Sequence, residues 1–489
     1  MKQNFWIASA LLLAILLTAV ACVSRNNPVS DETTQPAVNL DTADSYDYGQ
    51  LNCDNNEFTF LQCDEDRWGM KTALAPEQFT GDDISDAVFR RNNVIETLYN
   101  VSIQCINKDI YETGDYVRTQ CLTREKTVDA AYVIGSDVAT LISEKHLLDF
   151  SEIPNIQIYE NWWNQKIREA SQFGGSSALY YTQSDISVTA FELTWCIAVN
   201  LDMIKTNQME VPYDLVKKDQ WTMEKMFEMM RGGMKANSSD GTFTYSEDTD
   251  CIVGFTTYDN FTAAAINGSD CFMVKKDDIG NPAFTGEGER FIYVVEKWAN
   301  AFHTTGMAIE ANETGYHYEK IFADQRALFA GVEIKATSTY KQLYLNYGIL
   351  PVPKFDEDQK GYYSNVNYLA PVLVIPNTNT EMEKTGRILD TMAYMSYKNI
   401  LPVYYERNLS LKALNDPESV EMLDIIRDTR CFETGLLYGW ITSSEKNGFY
   451  DDIKDIVMDA IPRTNIASAI ATHRSAIVAR INNYLSVIE

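Results

Sequence analysis

Short apolar segments that alternate with amphipathic ones are the feature that most constrains how this chain can fold. Residues 82–100 repeat apolar side chains at helical spacing, and the strand-like segment VSIQCI follows at residues 101–106. A buried-type strand, DAAYVIG, occupies residues 129–135 and precedes a short helical pattern around residues 137–145. Strands that alternate with helices in this way form βαβ units around a parallel sheet. The sequence therefore predicts an α/β fold.

The rest of the chain continues this alternation. Residues 194–200 (TWCIAVN) are strand-like, and Thr222 is the predicted N-cap of a helix with a Met-rich apolar stripe. Such a stripe could line a binding groove, but core packing is its far commoner role. Two more apolar strands, at residues 347–353 and 368–376, flank a polar loop, and four helical stretches complete the chain.

The N-terminus has the three parts of a secretion signal. Lys2 supplies a positive start, an apolar run covers residues 5–21, and the small residues Ala19 and Ala21 precede Cys22. A cysteine in this place is typical of lipoprotein signals, in which it is acylated and becomes the new N-terminus. Ala19 departs from the leucine that is usual there. The alternative is a transmembrane anchor, for which the apolar run is barely long enough.

The segment after Cys22 is predicted to be a tether. Residues 22–51 are polar and acidic and contain few large apolar side chains. Such a segment buries too little surface to offset the entropy of ordering, so we expect it to be disordered. With a signal peptide over residues 1–21 and acylation of Cys22, the protein would be lipid-anchored at the extracytoplasmic face of the cell membrane.

Charge and composition limit the partners of the folded body. The chain has 69 acidic and 41 basic side chains, a formal net charge of −28, so it would repel nucleic acid. Hydrophobic residues make up 45% of the chain, enough for the core of a body with two or more lobes. A neutral or cationic ligand is favoured, although a local basic pocket would admit an anionic one.

Cysteine and histidine spacing gives no sign of a metal site. Eight cysteines follow Cys22 without a CxxC pattern, and the four histidines lie far from one another in sequence. We therefore expect no metal and no cofactor. Outside the cytoplasm, the simplest disulfide candidates are the pairs that are close in sequence, namely Cys53/Cys63, Cys105/Cys121 and Cys251/Cys271.

The sequence contains none of the common catalytic signatures. GxSxG, Walker A, HExxH and a GxGxxG turn after a strand are all missing. A pair of carboxylates for glycoside hydrolysis stays open, because acidic residues are abundant and their separation in space is invisible in the sequence. We predict that the protein is not an enzyme.

Several segments, in their order and spacing, resemble a known family. Residues 194–230 combine an apolar strand with a Trp-Thr pair that opens a helix, residues 322–331 read FADQRALFAG, and residues 347–364 begin YGILPVPK. Together with the lipoprotein signal, these segments are similar to the extracellular solute-binding proteins of family 1. Those proteins are the sugar-capturing receptors of ABC importers. Gln325 and Leu201 depart from the family pattern, which commonly has Gly and Lys there.

The resemblance implies a two-lobed, periplasmic-binding-protein-like α/β fold with hinge crossings and an interlobe cleft. Lobe 1 would comprise residues 52–195 plus 352–400, and lobe 2 residues 196–351 plus 401–489. The implied function is a monomeric receptor that closes on a small-molecule ligand, an oligosaccharide, and delivers it to the permease of an ABC importer. The alternatives are a surface glycoside hydrolase or lyase, and a non-transport adhesion or scaffold module.

Aromatic residues in probable loops are the candidate ligand-binding groups. Aromatic rings stack on the apolar faces of sugars, while Asp, Asn and Glu bind the hydroxyls. Core packing is the commoner role for any one of these rings, but two adjacent tryptophans cannot both face the same core. We predict six ligand-binding residues: Trp162 and Trp163 as stacking platforms, Asp185 and Glu192 as hydroxyl acceptors, and Tyr438 and Trp440 as walls of lobe 2.

Overall fold

The computed structural model describes residues 45–64, 69–237, 241, 243, 250–311, 318–343, 345–405, 417–443 and 445–488. The predicted signal peptide, Cys22 and most of the predicted tether lie outside the described residues. Tyr48–Glu489 form one compact unit. Within it, the hydroxyl of Tyr99 donates to the backbone oxygen of Tyr48 at 2.7 Å, so the end of the predicted tether packs on the body. No described helix is long and apolar enough to cross a membrane.

The described part of the chain alternates strands and helices throughout. Strands β1 to β13 are Asn56–Cys63, Val101–Lys108, Ala130–Ile134, Trp195–Asn200, Val253–Thr257, Val274–Lys276, Pro282–Phe284, Ala308–Glu310, Ala327–Glu333, Tyr347–Leu350, Ser364–Asn365, Pro371–Val374 and Arg430–Cys431. Helices α1 to α18 are Asp83–Tyr99, Thr113–Thr123, Val138–Ser143, Gln165–Ser171, Thr189–Glu192, Leu201–Thr206, Pro212–Lys217, Met223–Gly233, Phe261–Gly268, Glu289–His303, Tyr318–Ala323, Ala336–Gln342, Met382–Asn399, Leu401–Tyr404, Pro417–Asp428, Thr434–Leu437, Phe449–Met458 and Ile466–Ile488.

The first sheet contains four strands in the order β12-β3-β1-β2. β1 is parallel to β2 and β3, while β12 is antiparallel to β3. Helix α1 packs against β2 and against α13. The residues of β3 and β12 are buried throughout, as expected for strands that helices cover.

The second sheet contains five strands in the order β10-β4-β9-β5-β8. β5 is parallel to β8 and β9, whereas β4 is antiparallel to β9 and β10. Helix α8 packs on β5 and β9 with its Met-rich stripe. Met223, Met226, Phe227 and Met230 of that stripe are all buried, which confirms the prediction of core packing.

Three backbone segments join the two sheets side by side. Leu193 accepts a hydrogen bond from the backbone N–H of Asn367 at 2.9 Å, and Cys431 accepts one from Val366 at 2.9 Å. Thr194 forms an isolated bridge with Val366, and β11 pairs with β13. We call residues 193–195, 364–367 and 429–431 the connecting ribbon. The first segment leads from sheet 1 into β4, and the second returns toward β12.

The cysteine pairs suggested by sequence proximity are wrong, because all eight described cysteines are free. Cys63 ends the eight-residue strand β1 and Cys53 precedes its start, so about 25 Å of extended chain separates them. A disulfide needs Cα atoms within about 7 Å. Burial raises the pKa of the Cys105 thiol to about 12, which keeps this thiol protonated.

Candidate ligand-binding cleft

Residues that follow parallel strands of both sheets line one cleft. Tyr111 follows β2 by three residues, and Ser136 and Asp137 follow β3. On the other side, Tyr258 comes directly after β5, and Glu333 ends β9. Ligands of open α/β sheets bind outside the carboxyl ends of the strands, because the chain there turns into loops that can carry polar groups.

The cleft consists of two adjoining chambers. The small chamber has a volume of about 420 Å³ and the large chamber about 1010 Å³. Tyr111 and Leu369 line both chambers, so the two adjoin there. We call the two chambers together the interlobe cleft.

Aromatic rings form much of the wall of the small chamber. The rings of Tyr258 and Tyr318 lie 4.9 Å apart between centroids, and Trp195 backs Tyr258 at 5.1 Å. Tyr111, from the opposite side, is 46% exposed. An exposed ring facing packed rings leaves room for a flat apolar surface between them.

A buried charged group organises the polar side of the same chamber. Glu333 is only 1% exposed. Its carboxylate pairs with Nζ of Lys335 at 2.8 Å and accepts a hydrogen bond from Nδ2 of Asn367 at 2.7 Å. These contacts satisfy the buried carboxylate and fix the cation and the amide at the chamber wall.

The hydroxyl of Tyr258 is held in its protonated form. Burial, together with the nearby carboxylate of Glu333, keeps the pKa of Tyr258 well above its usual range. The phenol can therefore donate a hydrogen bond at any physiological pH. Asn260 and Asp259 follow Tyr258 and line the chamber too, and Lys454 pairs with Asp259 at 2.9 Å.

The large chamber lies between α3 and the three C-terminal helices α16 to α18. Its walls include the stacked rings of Tyr438 and Trp440, whose centroids are 4.8 Å apart, and the ring of Tyr450. Asp137 faces the chamber from the first sheet. Burial, and then the negative charge of Asp115, raises the pKa of the Asp137 carboxyl to about 6.

The structure separates the six predicted site residues into three places. Tyr438 and Trp440 line the large chamber. Trp162, Trp163 and Asp185 line a different cavity of about 310 Å³, away from the cleft. These positions do not favour contact with a ligand in the cleft. The ligand-binding role of the three residues stays a prediction.

Glu192 belongs to neither chamber of the interlobe cleft. Its backbone oxygen accepts a hydrogen bond from the N–H of Lys335 at 3.0 Å. Its carboxylate lies beside the buried hydroxyl of Tyr404, whose pKa burial and Glu192 together raise. Glu192, next to the connecting ribbon, thus contacts the segment that follows β9. Its role as a hydroxyl acceptor for the ligand stays a prediction.

Sequence reasoning missed most of the small chamber. Tyr111, Tyr258, Glu333 and Lys335 were not among the predicted residues, although a signal for three of them exists. Tyr258 and Glu333 sit where parallel strands end, and Tyr111 lies three residues beyond one. A search for residues at the ends of predicted strands, rather than for clusters of aromatic residues, would have selected these three. Among the described residues, no group of three or more potential metal ligands occurs.

Comparisons with known proteins identify the fold. No family model and no curated protein sequence matches this chain. An ABC substrate-binding protein from Listeria monocytogenes in complex with cycloalternan is 11% identical, with a TM-score of 0.54, and the match covers 89% of this chain and 99% of that one. The cyclic α-maltosyl-1,6-maltose-binding protein from Arthrobacter globiformis is 10% identical, with a TM-score of 0.59 over 89% and 100%.

A third match is the maltose/maltodextrin-binding domain of Bdellovibrio bacteriovorus bound to maltotriose. It is 9% identical, with a TM-score of 0.53 over 87% of this chain and 100% of that chain. These matches confirm the predicted two-lobed, periplasmic-binding-protein-like α/β fold, and they extend over nearly the whole chain.

Proposed function

We propose that this chain is an extracytoplasmic receptor that binds an oligosaccharide in the interlobe cleft and delivers it to an ABC importer. The observation that carries the proposal is the wall of the cleft, where tyrosine rings and fixed polar groups from both sheets face one space. Sugars present apolar ring faces for stacking and hydroxyls for hydrogen bonds. Proteins with the same fold bind cycloalternan and maltotriose in the structures named above.

The size of the cleft favours an oligosaccharide over a single sugar. Small-ligand pockets measure about 300–1,000 Å³. The large chamber alone, at about 1010 Å³, reaches the top of that range, and the small chamber adjoins it at Tyr111. A chain of several sugar rings can occupy both chambers, with Tyr111 at their junction.

The mechanism of capture follows from which lobes supply the walls. Tyr111 and Asp137 come from the first sheet, while Tyr258 and Lys335 come from the second. A ligand contacts both sets fully only when the lobes close around it, so it stabilises the closed form through those added contacts. The connecting ribbon is the place where such closure can bend the backbone. Capture of this kind needs no covalent chemistry, and we propose a carrier rather than an enzyme.

We further propose that Cys22 is acylated and that the tether keeps the receptor near its permease. The signal-like segment before Cys22 supports this location at the membrane. Incorporation of a clickable palmitate analogue into the full chain, and its loss in Cys22→Ser, would test the anchor. Unlabelled wild-type protein that stays attached to cells through residues 5–21 would instead support the transmembrane alternative.

The cleft is tested with a ligand screen on the folded protein. We expect a saturable rise in melting temperature with one class of oligosaccharide, and none with betaines, peptides or polyamines. A ligand at a hundred times its Kd stabilises the protein by about 2.7 kcal/mol. The absence of any response to sugars would overturn the proposal, and release of reducing ends would favour a glycoside hydrolase.

Two matched tyrosine variants locate the binding site. Tyr111→Ala removes a half-exposed ring that lines both chambers and should weaken binding by about 1 kcal/mol or more. Tyr159→Ala removes a ring that is 61% exposed and does not line the cleft, so its affinity should match the wild type. Isothermal titration calorimetry measures both. Equal affinity of Tyr111→Ala and wild type would place the sugar elsewhere.

A further inference from the structure

The cavity of about 310 Å³ that contains Trp162 and Asp185 has a polar lining of its own. We call it the hinge cavity, because Arg430 on β13 of the connecting ribbon forms part of its wall. Phe191, two residues before the ribbon, forms another part. The wall of the interlobe cleft shares none of these residues.

Arg430, in the wall of this cavity, has an unsatisfied donor. Its Nε is buried and has no hydrogen-bond acceptor among the described residues. Its guanidinium lies over the ring of Phe191 at 5.5 Å, which holds the planar group in place. Buried guanidinium donors normally find partners, so this donor is expected to have an acceptor other than a described protein group, either water or a ligand.

Basic groups outnumber acidic ones in the lining of the cavity. Lys166, Arg427 and Arg430 contribute positive charge, while Asp185 and Asp428 contribute negative charge. This balance contrasts with the formal net charge of −28 for the whole chain. Burial raises the pKa of Asp185, and the charges of Arg430 and Arg427 oppose that rise.

We propose that the hinge cavity is a second ligand site, which binds the oxyanion group of a small polar molecule. A carboxylate and a phosphate share the geometry that a guanidinium recognises with two parallel hydrogen bonds. The volume lies at the lower end of the range for small-ligand pockets, which suits a compact molecule. Gln183 and Trp162 also form part of the cavity wall. Their polar groups already have protein partners, namely Asn164 and Pro371 for Gln183 and Asp390 for Trp162. The proposal does not depend on the sugar proposed for the cleft.

The test measures binding of defined anions to the folded full-length protein at constant ionic strength. Acetate and glucuronate probe carboxylates, and inorganic phosphate and sulfate probe the alternative oxyanions. We expect a saturable rise in melting temperature with at least one probe, and the responding probe identifies the class. The lack of a saturable response to all four would overturn the proposal.

Matched arginine variants assign the response to this cavity. Arg430→Gln removes the charge and should weaken binding of the responding anion at least about tenfold. Arg474→Gln removes an exposed arginine that pairs with Glu287 on the surface, and it should bind like the wild type. Equal affinity of Arg430→Gln and wild type would overturn the assignment.

A second variant decides the question if Arg430→Gln does not fold. Asp185→Asn keeps both arginines and removes a negative charge that faces them, so anion affinity should rise several-fold. Unchanged or lower affinity would contradict the proposal. Oligosaccharide binding is measured on the same samples, so failure at one site is distinguished from failure at the other.

Discussion

At the scale of single residues, Asp390 explains how the protein body holds two adjacent tryptophans. This buried carboxylate accepts the indole N–H of Trp162 at 3.1 Å and that of Trp163 at 2.8 Å. It also accepts the backbone N–H of Gln157 at 2.9 Å. With the side-chain amide of Gln157, which donates at 3.2 Å, four donors compensate the burial of one charge and fix the tryptophans against α13. Adjacent indoles can therefore both serve packing, because one anion holds them together.

Asp137 gives a prediction about pH at the same scale. Its pKa of about 6 exceeds the value of about 3.9 expected in the unfolded chain, so the folded protein binds this proton more tightly. The contribution to stability is therefore present at low pH and is lost as pH rises through about 6. Asn has no carboxyl to ionise, so this replacement removes the loss of stability that wild type suffers as pH rises. We expect Asp137→Asn to gain stability over wild type between pH 4 and 7, by on the order of 1–3 kcal/mol.

Urea denaturation of both proteins at pH 5, 6 and 7 checks this prediction. The difference in the free energy of unfolding should widen with pH and become constant above about pH 7. Asp115→Asn is the partial control, because Asp115 is the smaller cause of the raised pKa. Parallel pH profiles for wild type and Asp137→Asn would contradict the expectation.

At the scale of elements, local signals predicted helices and strands with good accuracy. The helix predicted over residues 82–100 is α1, Asp83–Tyr99, and the predicted N-cap Thr222 accepts a hydrogen bond from the N–H of Lys225 at 3.3 Å. The helix predicted from Asp416-Pro417 begins at Pro417, while Asp416 lies outside the described residues. These features depend on neighbours within one or two turns, so the sequence encodes them directly.

The start of α1 gives a prediction at this scale. The carboxylate of Asp82 caps the helix by accepting the N–H of Ser85 at 2.9 Å. Loss of the cap in Asp82→Ala should reduce the free energy of unfolding by about 0.5–2 kcal/mol. Asp82→Asn keeps an oxygen acceptor and should cost less. Chemical denaturation measures both, and an alanine variant as stable as wild type would show that the cap contributes nothing.

The pairing of strands within the sheets was harder to predict from the sequence. The alternation predicted parallel βαβ units, and β1, β2 and β3 do pair in parallel. However, β12 pairs antiparallel with β3, and β4 pairs antiparallel with both β9 and β10. These partners are separated by more than a hundred residues in sequence, and periodicity reports which face of a strand is buried, not which strand lies beside it.

At the scale of the whole molecule, the capture mechanism proposed above predicts that the ligand changes the shape of the protein. We expect the radius of gyration to fall when a saturating oligosaccharide is added, because contacts on both lobes favour closure. Small-angle X-ray scattering measures the change. Tyr111→Ala is the control and, because it binds more weakly, should need a higher sugar concentration for the same compaction. Tight binding without compaction would contradict closure as the mechanism.

The sequence by itself determined the class of fold, the bounds of its main elements and the burial of the Met-rich stripe, while the secretion signal stays a prediction. Each of these depends on residues that are close in sequence. Only the tertiary structure decided which residues share a cavity. Tyr111 and Tyr258 line one cleft although 146 positions separate them in the chain, whereas Trp162 and Asp185 line a different cavity. Strand order brings these side chains together, and strand order is set by packing between distant segments that no local pattern records.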